Sequence, residues 1–231
     1  NDRQRQIGRA LTRAECGLPD GAFVFCAFHN SYKINEPLWQ HWMDILRATP
    51  HSVLWLVDNN EWSTTELRHR AEAAHIDPAR LIFSKRAVPQ HYLARLQCAD
   101  LFLDTSPYGA GTTTSDALWA GLPALTCPGR TLTSRMSASL LEAAGLPELI
   151  AHSPEHYVEL AIDLAQHPDR LKALRQRLSD HRLSCRLFDT PRFVSGLEDV
   201  LIQAHADQRE RLAHDTAMSR SGVPTSVQAP E

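Results

Sequence analysis

The sequence predicts a doubly wound, Rossmann-like α/β domain, with a parallel sheet and helices on both of its faces. Short apolar runs alternate with amphipathic stretches four or five times at close spacing, which is typical of strands joined by right-handed helical crossovers. The apolar runs are continuous rather than alternating, as in strands buried on both faces of a parallel sheet. At 231 residues the chain can form one such domain of ordinary size or two small ones.

The individual elements follow from local patterns. The strongest predicted strand is residues 22–28, which follow a turn rich in glycine and proline. Further strands are predicted at residues 51–57, 81–83, 99–104, 124–126 and 149–150. Apolar residues at helical spacing, with prolines near several first turns, predict helices at 38–48, 66–74, 90–97, from 112 onward, and at 134–144, 154–166, 168–179 and 191–203.

The two ends of the chain are predicted to differ from this core. Residues 1–15 are mostly polar and look helical, so we expect residues 1–20 to form a connecting helix and turn before a lobe over residues 21–205. From about Asp207 the apolar periodicity is lost, and we expect residues 206–231 to be a disordered tail. The first residues show neither an initiator methionine nor a signal-peptide pattern, and we expect the chain to be the middle of a longer protein.

Composition excludes several classes of function. The net charge of −3 favours neither nucleic acid nor an anionic membrane as a partner, and no apolar window is long enough for a membrane span. The five cysteines are scattered without a C-x-x-C pair, which favours buried thiols in a reducing compartment, and we expect a cytoplasmic protein. The dinucleotide glycine fingerprint, the Walker loop, the nucleophile elbow and the H-E-x-x-H motif are all absent, so we expect no metal site.

The most informative stretch is Leu101–Pro123, which reads LFLDTSPYGAGTTTSDALWAGLP. A buried strand leads into a glycine-containing turn, and a helix begins at the three threonines. Unpaired N–H groups and the helix dipole make such a helix N-terminus suitable for a phosphate, and Gly109 and Gly111 allow close approach of the backbone. The alternative is that Thr112 or Ser115 only caps the helix.

Three segments that follow predicted strands are expected to meet at one edge of the sheet, where open α/β sheets bind ligands. They are His29 to Lys33, Ala87 to Arg95, and Gly109 to Asp116. Together they offer a cation, an amide, an aromatic face, a guanidinium, hydroxyl groups and a carboxylate, from Lys33, Asn30, Tyr92, Arg95, Thr112, Thr113, Thr114 and Asp116. This set suits a nucleoside diphosphate, since the ring can stack on a base, the carboxylate can bind ribose, and the cation can bind the pyrophosphate.

Several of these segments resemble the protein O-linked N-acetylglucosamine transferase family, in its bacterial type. The resemblance rests on FCAFHNSYKI (25–34), SVLWL (52–56), ADLFLDT (99–105), GTTTSDALWAGLP (111–123) and PGRTLTSRMSASL (128–140). It covers about residues 5–205 and implies the C-terminal, donor-binding half of a GT-B glycosyltransferase. Members invert the anomeric centre as they move GlcNAc from UDP-GlcNAc to Ser or Thr hydroxyls of proteins. We expect no metal requirement, because Lys33 and the helix N-terminus would balance the charge of the diphosphate.

The resemblance also implies roles for the residues after the first and fourth strands. Lys33 matches the catalytic lysine that neutralises the β-phosphate of the leaving UDP, and Asn30 matches an amide near the donor phosphate. Thr112 and Thr113 match the phosphate-binding threonines, with Thr114 as a third hydroxyl beside them. Asp116 matches the carboxylate that binds ribose.

Roles at the base follow in the same way. Ala87 matches a residue whose backbone meets the uracil, and Arg95 matches the arginine beside it. Tyr92 matches the ring that stacks on the base, with His91 as its near competitor. Each side chain also has a structural alternative: Lys33 as a solvated loop residue and Tyr92 as core packing. Asp104, likewise, is interpreted as a cap or a turn former.

Two departures from the family pattern leave the donor open. Gly111 stands where many members have a histidine, and Pro89 stands near a lysine that contacts ribose in some members. The wording PYGAGTTT is also similar to relatives that use GDP-fucose, and UDP-glucose is a further alternative.

The acceptor-facing lobe and tetratricopeptide repeats of the family would precede this chain. Nothing in residues 1–20 resembles them. We therefore expect the donor-binding half of a longer enzyme, with a UDP-sugar and a protein acceptor as partners. The alternatives are a nucleotide-sugar-binding module without catalysis and a different GT-B enzyme. Repeats of about 34 residues upstream would favour the donor-binding half of a longer enzyme.

Overall fold

The structure is a computed structural model that describes residues 3–220, and the chain divides into two compact units after Phe188. The first unit contains a five-stranded, all-parallel sheet of order β3-β2-β1-β4-β5. The strands are β1 (Phe23–Ala27), β2 (Ser52–Val57), β3 (Leu81–Ser84), β4 (Leu101–Leu103) and β5 (Ala124–Leu125). The predicted doubly wound sheet is confirmed.

Helices surround this sheet and alternate with its strands along the chain. They are α1 (Glu36–Ala48), α2 (Glu61–Ala73), α3 (Pro89–Leu96), α4 (Thr112–Trp119), α5 (Leu132–Ala144), α6 (Pro154–Gln166) and α7 (Pro168–His181). The second unit contains α8 (Thr190–Arg220). Within the described residues, no helix is both long and apolar enough to cross a membrane.

The centre of the core lies where β1 and β2 pair and α1 packs. Residues of β1 pair in register with β2, from Phe23 beside Ser52 to Ala27 beside Leu56. The apolar positions predicted for α1 are all buried, and the side chain of Asn35 caps the helix by accepting a hydrogen bond from the N–H of Leu38 at 3.0 Å. Local periodicity was therefore sufficient to predict this part of the fold.

The predicted N-terminal helix is wrong. The only helical residues before β1 are a short 3-10 turn, Ala14–Cys16, in the described part of the segment. Its backbone and side chains bond to the domain instead: the N–H of Gly8 donates to the carbonyl of Gln90 at 2.9 Å, and the Arg13 guanidinium pairs with Asp100 at 2.6 Å. Polar spacing could not reveal these contacts, because their partners lie more than 80 positions along the chain.

The predicted disordered tail is also wrong where the structure describes it. Helix α8 continues to Arg220, past the predicted boundary at residue 205, and residues 221–231 lie outside the described residues. An apolar stripe indicates that a helix packs against the domain, and no such stripe is seen after residue 205. The residues there, such as Gln, Arg, Glu, Leu and Ala, nevertheless favour helix. The Gln203 amide also donates to Asp207 one turn later, at 2.7 Å.

The last predicted strand, residues 149–150, is only a single parallel bridge between Thr126 and Ile150. The preceding residues form a 3-10 turn, Pro147–Leu149. The short β5 is thus the edge strand of the sheet, and in the described part of the chain only this bridge extends past it.

Candidate functional site

The order of the strands locates a crevice at the carboxyl edge of the sheet. From β1 the chain proceeds outward to β2 and β3, and then returns to the other side of β1 with β4 and β5. The loops that leave β1 and β4 therefore diverge at this point, which is where open α/β sheets bind ligands. Two of the three predicted segments, His29 to Lys33 and Gly109 to Asp116, belong to these loops.

Asp104 organises the loop after β4. Its carboxylate is 2% exposed, and one oxygen accepts hydrogen bonds from the N–H groups of Thr105 at 2.7 Å and Ala110 at 2.8 Å. The other oxygen accepts from the hydroxyl of Thr126 at 2.7 Å. The interpretation of Asp104 as a turn former is confirmed, because it folds residues 105–110 back toward β5.

Close packing explains the glycine at position 109. A Cβ atom there would lie 2.9 Å from the carbonyl oxygen of Thr133 and 3.3 Å from the Asp104 carboxylate. The first of these distances is shorter than real Cβ contacts, so a side chain would force the backbone to move. Glycine at this position therefore lets the loop reach the N-terminus of α5, next to the start of α4.

Lys33 connects the β1 loop to the β4 loop. Its ammonium group donates to the carbonyl of Gly109 at 3.1 Å and lies 4.2 Å from the ring centroid of Tyr108. Because an ammonium group has three donors, this arrangement leaves capacity for an anion beside the glycine loop. A solvated loop lysine would lack such contacts. The structure therefore does not support the alternative that Lys33 is a solvated loop residue.

Helix α4 begins at the glycine loop without a capping side chain. Its N-cap residue is Gly111, so the alternative that Thr112 or Ser115 caps the helix is wrong. Thr112 is exposed and Thr113 is half-buried, whereas Thr114 is fully buried and its hydroxyl is 2.9 Å from that of Ser137. Two of the three predicted hydroxyls thus remain accessible at the helix N-terminus, and the third is used inside the fold.

A cavity of about 330 Å³ lies beside this helix start. It is lined by Phe28, Val57, Ser84, Lys85, Arg86, Ala87, Pro89, Tyr92, Arg95, Thr113 and Asp116. Five of the ten predicted site residues are therefore in its wall. The other five, Asn30, Lys33, His91, Thr112 and Thr114, are not.

Tyr92 forms an aromatic wall of the cavity. Its ring centroid is 6.1 Å from that of Phe28, and the Tyr92 hydroxyl is buried without a hydrogen-bond partner among the described residues. Burial raises the pKa of this phenol, so the hydroxyl stays protonated. His91, its competitor, is half-buried on the same helix but does not line the cavity. The geometry therefore favours Tyr92 as the ring beside a ligand.

Cations also line the cavity. The Arg95 guanidinium donates to the carbonyl of Lys85 at 2.6 Å and holds the loop that contains Ala87. The guanidinium of Arg86 contacts the amide oxygen of Asn30 and donates to Asn59 at 3.1 Å. Asn30 therefore contacts Arg86 in the cavity wall, a residue that our sequence reasoning missed although it lies two positions after the end of β3.

Asp116 is already paired with a cation. The Arg5 guanidinium forms a salt bridge with its carboxylate, and the two side chains are 23% and 16% exposed. Burial raises the pKa of Asp116 above the ordinary value for aspartate, and the charge and hydrogen bond of Arg5 oppose that shift. Sequence reasoning missed Arg5 as well, because nothing local marks a partner 111 positions away.

The described residues contain no cluster of three or more His, Cys, Asp or Glu side chains that could hold a metal ion. Positive groups at this edge of the sheet include Lys33, Lys85, Arg86 and Arg95, together with the N-terminus of α4. Chemically, the arrangement can receive an anionic ligand that also carries an aromatic ring.

Comparison with known proteins agrees with this geometry. A model of glycosyl transferase family 41 matches residues 4–197. A UDP-N-acetylglucosamine–peptide N-acetylglucosaminyltransferase of Caenorhabditis elegans is 37% identical over 192 residues, which are 83% of this chain and 17% of that protein. A probable enzyme of the same name from Arabidopsis thaliana, SEC, is 37% identical over 187 residues, or 80% of this chain and 19% of that protein.

Among solved structures, a mutant of Thermobaculum terrenum O-GlcNAc transferase matches with a TM-score of 0.78 and 29% identity. The match covers 87% of this chain and 38% of that one. The fold is that of the C-terminal half of a GT-B glycosyltransferase. The chain spans less than a fifth of the length of the two curated relatives named above.

Proposed function

We propose, since this chain belongs to glycosyl transferase family 41, that it is the donor-binding lobe of an inverting protein O-glycosyltransferase. The reaction moves GlcNAc from UDP-GlcNAc to a Ser or Thr hydroxyl of a protein. One observation carries the proposal: an aromatic wall, a carboxylate, several cations and an uncapped helix N-terminus converge at the crevice of the sheet.

Each part of the donor has a place in this arrangement. The uracil lies against Tyr92 and the backbone at Ala87, because a flat aromatic face and main-chain polar groups suit a base. The ribose hydroxyls donate to Asp116. The pyrophosphate lies at the N-terminus of α4, where the Thr112 and Thr113 hydroxyls, main-chain N–H groups and the helix dipole favour negative charge.

Lys33 has the role closest to the chemistry. In the transfer, the acceptor oxygen bonds to the anomeric carbon, the bond from that carbon to the β-phosphate oxygen breaks, and the hydroxyl proton passes to a base outside this lobe. Negative charge then accumulates on the departing UDP. An ammonium group held beside the glycine loop at 3.1 Å from the Gly109 carbonyl can neutralise that charge as it develops.

The remaining features of the proposal concern what surrounds the lobe. The acceptor groove, the base and the repeats belong to chain that precedes these residues, in keeping with the small share of the relatives that is covered here. We propose that no metal is needed, because four cationic side chains lie around the site. All five cysteines are free thiols, which supports a cytoplasmic location.

Calorimetric titration of the 231-residue chain with UDP tests the proposal, with and without EDTA. We expect UDP to bind in the presence of EDTA, and Lys33→Met to weaken binding by about tenfold or more, since a hydrogen bond to a charged group contributes about 1.5–3 kcal/mol. Lys172→Met, an exposed lysine on α7, is the matched control and leaves binding unchanged.

Other outcomes contradict the proposal in different ways. Preferential binding of GDP would replace UDP-GlcNAc by a GDP-fucose donor, and loss of UDP binding in EDTA would introduce a metal. Failure of a folded sample to bind either nucleotide would overturn the lobe's role in holding the donor unaided.

A further inference from the structure

The N-terminal segment of the chain reaches the candidate site through one side chain. Arg5 lies 18 positions before β1, yet its guanidinium contacts the carboxylate of Asp116 on α4. Neither side chain is more than a quarter exposed. Because a half-buried ion pair is poorly screened by solvent, this contact has more influence on the carboxylate than a surface pair would.

Arg5 is itself held in a fixed orientation. Its guanidinium carbon lies 5.3 Å from the ring centroid of Trp119 and 5.9 Å from that of Phe188. The indole N–H of Trp119 donates to the main-chain carbonyl of Arg5 at 3.0 Å, and the guanidinium of Arg3 donates to the carbonyl of Phe188 at 2.6 Å. Such a cradle of aromatic faces suits a planar guanidinium and limits its rotation.

The segment also forms a wall of the space next to Asp116. A second cavity of about 460 Å³ is lined by Gln4, Arg5 and Gln6. This cavity shares Pro89, Tyr92 and Asp116 with the 330 Å³ cavity described above. Asp116 therefore lies at the boundary between the two cavities, with Arg5 on one side and the proposed nucleotide site on the other.

We infer that Arg5 is a positioning residue for nucleotide binding: it fixes the Asp116 carboxylate so that the carboxylate accepts the ribose hydroxyls. The inference rests on the proposed function, and it adds the N-terminal segment to the donor site. A carboxylate partly removed from water binds hydroxyls well only while it stays charged and correctly oriented, and Arg5 supplies both conditions.

The rival explanation is that the ion pair only holds the N-terminal segment in place. The two explanations differ in which ligand atoms feel the loss of Arg5. If Arg5 acts through Asp116, its loss affects ligands that carry ribose hydroxyls and spares ligands that lack them. If Arg5 is only structural, its loss affects both ligands equally or neither.

Calorimetry with UDP and 2′,3′-dideoxy-UDP separates these explanations. The unmodified chain is expected to bind UDP about tenfold more tightly than the dideoxy analogue, since hydroxyls bonded to a carboxylate make strong hydrogen bonds. In Arg5→Met this ratio falls to threefold or less, while binding of the analogue itself changes less than twofold. Arg5→Lys restores part of the ratio, because the positive charge returns without the planar fork.

Two further variants act as controls. Arg9→Met removes an arginine of the same segment that pairs with Glu15 and whose side chain is 71% exposed, and it leaves the ratio unchanged. Asp116→Asn lowers the ratio as Arg5→Met does, and combining the two variants lowers it no further. Circular dichroism shows whether each variant is folded. If Arg5→Met does not fold, the ratio in Arg5→Lys provides the test.

The outcomes distinguish this inference from the function on which it rests. An unchanged ratio in Arg5→Met, or an equal loss of affinity for both ligands, overturns the positioning role and leaves the donor lobe intact. Absence of UDP binding to the unmodified chain overturns both.

Discussion

Replacing Asp104 is expected to destabilise the domain strongly, because its carboxylate anchors the glycine loop. Asp104→Ala would leave the buried N–H groups of Thr105 and Ala110 without their acceptor. Each unsatisfied group costs about 1–3 kcal/mol, so we expect the free energy of unfolding to fall by about 2–6 kcal/mol. That loss is a large part of the 5–15 kcal/mol that is usual for a folded domain.

Asp104→Asn separates the anchoring role from the negative charge. The amide oxygen can still accept from both N–H groups, and the Thr126 hydroxyl can turn to accept a hydrogen bond from the amide nitrogen. We therefore expect a loss of only about 1–2 kcal/mol. Thr126→Val, which removes only one donor to the carboxylate, should cost a similar amount.

Urea denaturation followed by tryptophan fluorescence measures these differences. All five tryptophans lie in the first unit, at positions 39, 42, 55, 62 and 119, so the signal reports on the domain that contains Asp104. If Asp104→Ala destabilises the domain no more than Asp104→Asn does, the two N–H groups are not what the carboxylate holds, and this reasoning is refuted.

Three further predictions concern single side chains. Gly109→Ala should lower the free energy of unfolding by about 1–3 kcal/mol and Gly111→Ala by less, because a Cβ meets a main-chain oxygen at position 109 and only a flexible methionine at position 111. Urea denaturation midpoints measure both losses, and equal losses would contradict this prediction. Tyr92→Phe should leave the melting temperature equal or raised and UDP affinity unchanged, since its buried hydroxyl has no partner among the described residues and the ring remains; a lower melting temperature would reveal a missed bond. Iodoacetamide at pH 8 should spare Cys16 and Cys26 in the native chain and modify all five thiols in guanidinium, because burial raises the pKa of Cys16 to about 12 and that of Cys26 well above its usual value. Mass spectrometry measures the labelling, and early modification of Cys16 or Cys26 in the native chain would contradict this prediction.

The parts of the fold that depend on local sequence could be predicted well. The continuous apolar run of β1, the amphipathic α1 and the glycine loop before α4 each carry their signal within a dozen residues. Parallel strands bring their carboxyl ends to one edge, so the meeting of Lys33 with the glycine loop followed from topology.

The parts that depend on distant contacts could not be predicted. The N-terminal segment resembled a polar helix, but its conformation is decided by Gln90 and Asp100, which are far away in the chain. Thr114 resembled its two neighbours, but helical rotation turns its hydroxyl inward to Ser137. Identical residues in a motif therefore have different roles, because successive side chains of a helix point in different directions.

Gly111 shows how such contacts change the meaning of a departure from a family pattern. In the sequence, a glycine stands in place of the family's histidine directly before the first threonine of α4, and that departure leaves the donor open. In the structure the side chain of Met136, from α5, occupies the position that a Cβ of residue 111 would need. The two positions are thus coupled: a long side chain at residue 111 requires a shorter one at residue 136. The surface beside the proposed pyrophosphate site is consequently lined by a thioether, which does not titrate, rather than by an imidazole.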